Sequence, residues 1–174
     1  MTSRKLATGF TIVELLIVIV VIAILASISV VAYNGVQQRA KASSLASTLK
    51  SAEKAFRLYG TEQGRSTWWD DGQITSAGDN PTLTRVINET NFKQYMQNAS
   101  VPDGWVLNYD NDGDNYNGCS ISGAGVKIFS YDVPQSVVQL VDNQVDDGNL
   151  SCGKVTWNPA DSALSYYLSN TQPF

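Results

Sequence analysis

A single carboxylate stands at the front of the most apolar segment of this chain. The residues from Leu15 to Ala26 are all apolar, and the apolar character continues to Ala32, whereas Glu14 directly precedes the run. A segment of about 20 apolar residues is long enough to cross a bilayer as a helix. A charged side chain at the centre of a membrane helix costs about 2.5–3.5 kcal/mol on insertion scales, so Glu14 needs a partner. The segment therefore predicts a membrane helix that carries one charge for a purpose.

The residues around Glu14 resemble the prepilins of type IV pilins and pseudopilins. A short basic leader ends at Gly9, and the sequence Phe10-Thr11-Ile12-Val13-Glu14-Leu15-Leu16 follows it. The resemblance implies that a membrane prepilin peptidase cuts after Gly9 and methylates the new amine of Phe10. It also implies that Glu14 pairs with the Phe10 ammonium of a neighbouring subunit during filament assembly. This pairing is physically reasonable because opposite charges among apolar helices neutralise each other.

Two other interpretations of the apolar segment remain open. A secretory signal peptide has basic, apolar and small-residue zones, and Ser27-Ile28-Ser29 fits its cleavage site. An ordinary single-pass anchor needs about 20 apolar residues, which Phe10 to Ala32 supplies. Both interpretations leave Glu14 without a purpose.

The chain divides into three predicted regions. Residues 1–9 form the prepilin leader, residues 10–59 form one N-terminal helix, and residues 60–174 form a C-terminal globular pilin domain. Within the helix, residues 10–32 are the transmembrane segment and the filament core. Beyond Ala32 the apolar residues recur at helical spacing, which predicts that this part packs against the domain.

The C-terminal region has the pattern of an α+β domain. A helix in one or two pieces is predicted at 81–100, and a helix at 134–147, with a valine-rich strand as the alternative for the latter. Strands are predicted at 105–109, 126–131, 154–157 and 163–168. The predicted fold is a long N-terminal helix packed on a small antiparallel β-sheet, as in pilins.

Composition argues against several functions. Lys and Arg total 12 against 16 Asp and Glu, for a net charge of −4, so nucleic-acid binding by the single subunit is not expected. Histidine is absent, which removes the commonest general base, and no Gly-rich phosphate loop occurs. We therefore predict that the chain is not an enzyme.

The two cysteines, Cys119 and Cys152, are both in the C-terminal half. In an exported domain two cysteines most simply form one disulfide, and the pilin resemblance implies a similar C-terminal bond. Such a bond would stabilise the domain by about 3–4 kcal/mol on the loop-entropy model. Two reduced, buried thiols are the alternative.

One polar segment has the character of half a calcium loop. Its candidate oxygen ligands are Asn108, Asp110, Asp112 and Asp114, and Gly113 lies between the last two. The glutamate of a complete loop is missing, because Cys119 occupies its place. A solvated turn is the alternative interpretation. The carboxylates of Asp142, Asp146 and Asp147 would complete a site only if the fold brought them near.

The prediction is a structural subunit of a type IV pilus, made as a precursor in the cytoplasmic membrane and later part of an extracellular filament. Its expected partners are other pilin subunits, the prepilin peptidase and an inner-membrane assembly platform. The filament would serve adhesion, twitching motility or DNA uptake. One alternative is a type II secretion pseudopilin or a minor pilin. Another is a membrane-anchored binding domain that uses Trp68, Trp69 and the acidic turns.

Overall fold

A computed structural model of the chain describes residues 9–62, 80–89, 91–110 and 126–168. The chain forms two compact units, which divide after Gln37. Helix α1 extends from Ile12 to Glu62. It therefore continues slightly beyond the predicted end at Tyr59, because Gly60 is accommodated within the helix.

The second unit contains four β-strands, β1 (Asn108–Asp110), β2 (Lys127–Ser130), β3 (Val155–Asn158) and β4 (Ala163–Tyr167). They form one antiparallel sheet in the order β1-β2-β4-β3. Strand β2 is central and wholly buried, and it pairs Ile128 with Tyr166 of β4. The first strand begins later than predicted, because Trp105 closes a short 3-10 turn instead of starting the strand.

Two further α-helices and two 3-10 helices surround this sheet. They are α2 (Leu83–Glu89), α3 (Gln135–Val145) and the 3-10 helices Asn91–Gln94 and Pro102–Gly104. The valines of α3 decide between helix and strand, because Val137, Val138 and Val141 are buried together at helical spacing. The helical prediction for this segment is confirmed.

The core of the second unit forms between the C-terminal half of α1 and the sheet. Phe56 of α1 lies at its centre, with its ring centroid 4.8 Å from that of Tyr109 and 4.4 Å from that of Phe92. All three rings are buried. Such offset and tilted aromatic pairs add stability beyond the area they bury. The observed architecture is therefore the predicted α+β fold, with a long helix packed on a small antiparallel sheet.

Candidate functional site

The backbone at the start of α1 is unconstrained by packing. Gly9 and Phe10 precede the helix, and the Phe10 side chain is 89% exposed. A Cβ added at Gly9 would meet no atom within 4 Å, and Gly9 has no positive φ. Folding alone therefore does not require glycine at this position.

Glu14 closes the first turn of α1 through Thr11. The Thr11 N–H and hydroxyl both donate to Oε2 of Glu14 at 2.8 Å, and the Glu14 N–H donates to the Thr11 hydroxyl at 3.2 Å. This is a capping box, in which two side chains satisfy backbone groups that the helix end leaves open. The Thr-x-x-Glu spacing was visible in the sequence, but its capping role was missed.

The remaining oxygen of Glu14 has no such partner. Oε1 accepts no hydrogen bond from the described residues, and no lysine or arginine occurs between Gly9 and Gln37. The carboxylate is therefore fixed through one oxygen and open to a cation through the other.

Apolar side chains cover every face of α1 in the first unit. Each large apolar side chain from Ile12 to Val31 is at least 48% exposed. The hydroxyls of Ser27 and Ser29 donate to the carbonyls of Ile24 and Leu25, so they need no water. Within the described residues, α1 is long and apolar enough to cross a membrane. A surface of this kind requires lipid or other helices around it.

Comparison with known proteins agrees with this geometry. Residues 4–30 match the family model for the prokaryotic N-terminal methylation motif. The chain carries the prepilin signature of type IV pilins and pseudopilins. This motif implies processing by a prepilin peptidase and polymerisation with pilin-type subunits. No curated protein and no solved structure matches the chain.

The end of helix α3 brings a second set of candidate residues together. Asp142 lies in the last turns of α3, and Asp146 and Asp147 follow its end. One carboxylate oxygen of each lies within 4.8 Å of the others. The sequence had identified these three residues but gave no measure of their separation, which the helix and its turn now supply.

Asp142 is the unusual member of this acidic cluster, by which we mean Asp142, Asp146 and Asp147. Its side chain is fully buried, and neither carboxylate oxygen has a hydrogen-bond partner among the residues that the structure describes. Burial, followed by the charges of Asp146 and Asp147, raises the pKa of Asp142 to about 6, although the nearby Gly148 amide partly opposes the shift. That amide does not reach hydrogen-bonding geometry with either oxygen.

The predicted calcium loop is only partly within the described residues. Asp110 is buried on β1, and its Oδ2 lies 2.9 Å from Nζ of Lys127 on β2. The Asn108 amide donates to the carbonyl of Val106. Asp112 and Asp114 lie outside the described residues, so this calcium site stays a prediction.

The predicted cysteine pair is also divided. Cys152 lies in the turn before β3 and is disulfide-bonded, whereas Cys119 lies outside the described residues. Trp68 and Trp69, which the binding-domain alternative requires, lie outside them as well. The pairing of Cys119 with Cys152 stays a prediction.

A polar contact between α1 and the sheet was not anticipated. Glu53 is 14% exposed, and both its oxygens lie 2.7 Å from Nζ of Lys154. Its Oε2 also accepts a hydrogen bond from the Tyr166 hydroxyl at 2.6 Å. The sequence showed only the Glu53–Arg57 pair four residues apart, since Lys154 and Tyr166 are distant in the chain.

Proposed function

We propose that this chain is a prepilin that is cleaved after Gly9, methylated at Phe10 and polymerised through the apolar part of α1 into a type IV pilus. The observation that carries the proposal is the methylation motif at residues 4–30, which includes the start of α1, a helix whose apolar side chains are exposed on every face in the first unit. A membrane holds such a helix in the precursor. In a filament, the same helices from other subunits replace the lipid.

The geometry at the helix start supports the proposed processing. Gly9 is accessible, and neither packing nor backbone conformation demands a glycine there. Recognition by the peptidase would explain why glycine occupies this position. Cleavage creates an ammonium on Phe10, which a neighbouring Glu14 can accept through its open Oε1.

The proposed filament is a structural assembly with no catalytic role for this subunit. We further propose that Cys119 and Cys152 form the disulfide of the exported domain, which the bonded state of Cys152 supports. Adhesion, twitching motility and DNA uptake are the activities that such a filament serves. A type II secretion pseudopilin or a minor pilin would be processed in the same way.

The test is intact mass and N-terminal sequencing of protein sheared from the cell surface. The expected species begins at N-methyl-Phe10. A chain that begins at Met1 would instead indicate a membrane-anchored domain, and one that begins after Ser29 would indicate a secreted domain. Either result would overturn the proposal.

Two glycine variants sharpen this test. Gly9→Val should abolish cleavage and leave the precursor in the membrane. Gly35→Ala is the matched control, because a Cβ at Gly35 also meets no atom within 4 Å and the site lies far along the same helix. It should be processed and assembled as the wild type.

A further inference from the structure

The fully buried carboxylate of Asp142 requires a neutralising partner. Both its oxygens lack hydrogen bonds within the described part of the chain, and its side chain is 0% exposed. An unpaired buried charge is among the costliest arrangements in a folded protein. No hydrogen bond from the described residues relieves this cost, so the carboxylate either takes up a proton or binds a cation.

The surroundings of Asp142 favour a cation. The carboxylates of Asp146 and Asp147 lie beside it, with one oxygen of each of the three within 4.8 Å of the others. The three residues also lie at the C-terminal end of α3, where the helix dipole is negative. Among the described residues, no lysine or arginine forms an ion pair with any of them, and the nearest amine in sequence, Lys154, pairs with Glu53.

The turn after α3 holds two of these carboxylates in place. Oδ2 of Asp146 accepts the N–H groups of Lys154 and Val155, and Oδ1 of Asp147 accepts the Asn149 N–H at 2.9 Å. Each carboxylate thereby keeps one oxygen that is not committed to the turn. The cluster therefore offers fixed acidic oxygens rather than mobile surface side chains.

We propose that Asp142, Asp146 and Asp147 bind a calcium ion. The donor set consists of carboxylate oxygens, which hard cations prefer, while the chain lacks histidine and Cys152 is disulfide-bonded. Calcium accepts irregular geometry with six to eight oxygens, so backbone carbonyls or water complete its shell, whereas magnesium demands a regular octahedron. The ion joins the end of α3 to the turn that leads into β3.

This site differs from the loop predicted at Asn108, Asp110, Asp112 and Asp114. Asp110 of that loop lies 2.9 Å from Lys127, which already neutralises it. Among the described residues, Asp142 has no such cation. The two candidate sites share no residue, so substitutions separate them.

The experiment uses the full-length chain in detergent micelles, stripped with EDTA and dialysed into metal-free buffer at pH 7.5. Calcium is titrated by calorimetry, and the Tm is recorded with and without 10 mM Ca²⁺ and with 10 mM Mg²⁺. We expect one ion per chain, a Kd of about 10⁻⁴–10⁻³ M as in extracellular calcium modules, and a Tm increase of about 5 °C. Magnesium should raise the Tm much less.

Two variants and one control locate the ion. Asp142→Asn and Asp147→Asn should each weaken calcium binding at least tenfold and remove most of the calcium-dependent Tm increase. Asp147 is exposed, so Asp147→Asn still tests calcium binding at this site even if Asp142→Asn does not fold. The control is Asp161→Asn. Asp161 is exposed and accepts a hydrogen bond from the Asn158 amide, which the amide oxygen of the new asparagine can still accept. This variant should bind calcium as the wild type does.

Three results would overturn the proposal. The first is no calcium binding by the wild type, with a Tm that calcium does not change. The second is binding that Asp147→Asn and Asp161→Asn leave equally intact. The third is binding that persists in Asp147→Asn and disappears in an Asp112→Asn/Asp114→Asn double variant, which would assign calcium to the other loop.

Discussion

The Tyr166 hydroxyl donates a hydrogen bond to Oε2 of Glu53 at 2.6 Å, across 113 residues of sequence. This contact connects the last strand of the sheet with the long helix. Lys154 adds two contacts of 2.7 Å to the same carboxylate. Glu53 is thus the polar attachment point between α1 and the sheet.

Replacing Glu53 should loosen this attachment. Glu53→Ala removes the acceptor and leaves Tyr166 and Lys154 without their partner, which should lower the free energy of unfolding by about 2 kcal/mol. Chemical denaturation of the detergent-solubilised chain measures the change. Lys54→Ala is the control on the same helix, since Lys54 is exposed, and it should change stability by less than about 0.5 kcal/mol. Equal effects of the two variants would contradict the assigned role.

The same carboxylate should make stability depend on pH in the acidic range. Burial raises the pKa of Glu53, but hydrogen bonds from Lys154, Tyr166 and Arg57 outweigh it and hold the pKa below 4.5. The folded chain therefore binds fewer protons than the unfolded chain. The contribution of Glu53 is complete above pH 4.5 and is lost as the pH falls through the lowered pKa.

Thermal unfolding between pH 7 and pH 3 tests this titration. Wild type should lose more stability over that range than Glu53→Gln, which carries no titrating group at this position. Parallel curves for the two proteins would show that Glu53 is not responsible.

The aromatic centre of the core should be sensitive to truncation. Phe56→Ala removes a buried ring that contacts Phe92 and Tyr109, and we expect a loss of about 3–5 kcal/mol. Leu58→Ala changes a neighbouring side chain that is 45% exposed and should cost far less. Equilibrium denaturation measures both variants, and a small loss for Phe56→Ala would mean that the core collapses around the missing ring.

The buried pair of Asp110 and Lys127 should behave as a unit. Lys127→Met removes the ammonium 2.9 Å from the buried Asp110 carboxylate, which should cost about 3–5 kcal/mol. Adding Asp110→Leu removes that buried carboxylate as well and should recover much of the loss. Additive losses in the double variant, measured by denaturation, would show that the two charges are not coupled.

The capping box should be measurable apart from filament assembly. Thr11→Val removes the hydroxyl that contacts Glu14 but leaves the Glu14 charge, and it should destabilise the first turn of α1 by about 1 kcal/mol. Amide hydrogen exchange of residues 12–14 in micelles reports this local change. Thr11→Ser keeps the hydroxyl and should exchange nearly as slowly as wild type, so rapid exchange in both variants would count against the cap.

The long helix and the sheet could be predicted because their signals are local. Apolar continuity defined α1, and alternation with turn residues defined the strands. The helical spacing of Val137, Val138 and Val141 correctly favoured helix α3, although valine alone favours a strand. The predicted start of β1 was wrong because Asp103 adopts a positive φ inside the 3-10 turn. The residue type alone does not indicate this conformation.

Polar contacts between distant segments could not be predicted in the same way. Glu53 appeared only as a partner of Arg57, because helical spacing shows neighbours four residues apart and nothing beyond. Asp142 appeared as one acid among several. Its burial follows from packing of α3 against β3, which pattern analysis does not reach. The Thr11–Glu14 cap follows from a Thr-x-x-Glu spacing that is visible in the sequence.

The capping box also determines the side-chain conformation in which Glu14 contacts another subunit. Both bonds from Thr11 go to Oε2, so the side chain is held in one orientation, while Oε1 accepts no hydrogen bond from the described residues of its own subunit. Ordering a glutamate side chain costs up to about 2 kcal/mol of rotamer entropy. In the proposed filament, that ordering takes place once, when α1 forms, and not again at each joining event. The Glu14 side chain is then already ordered when a subunit joins, so each addition should proceed without a search for the correct rotamer.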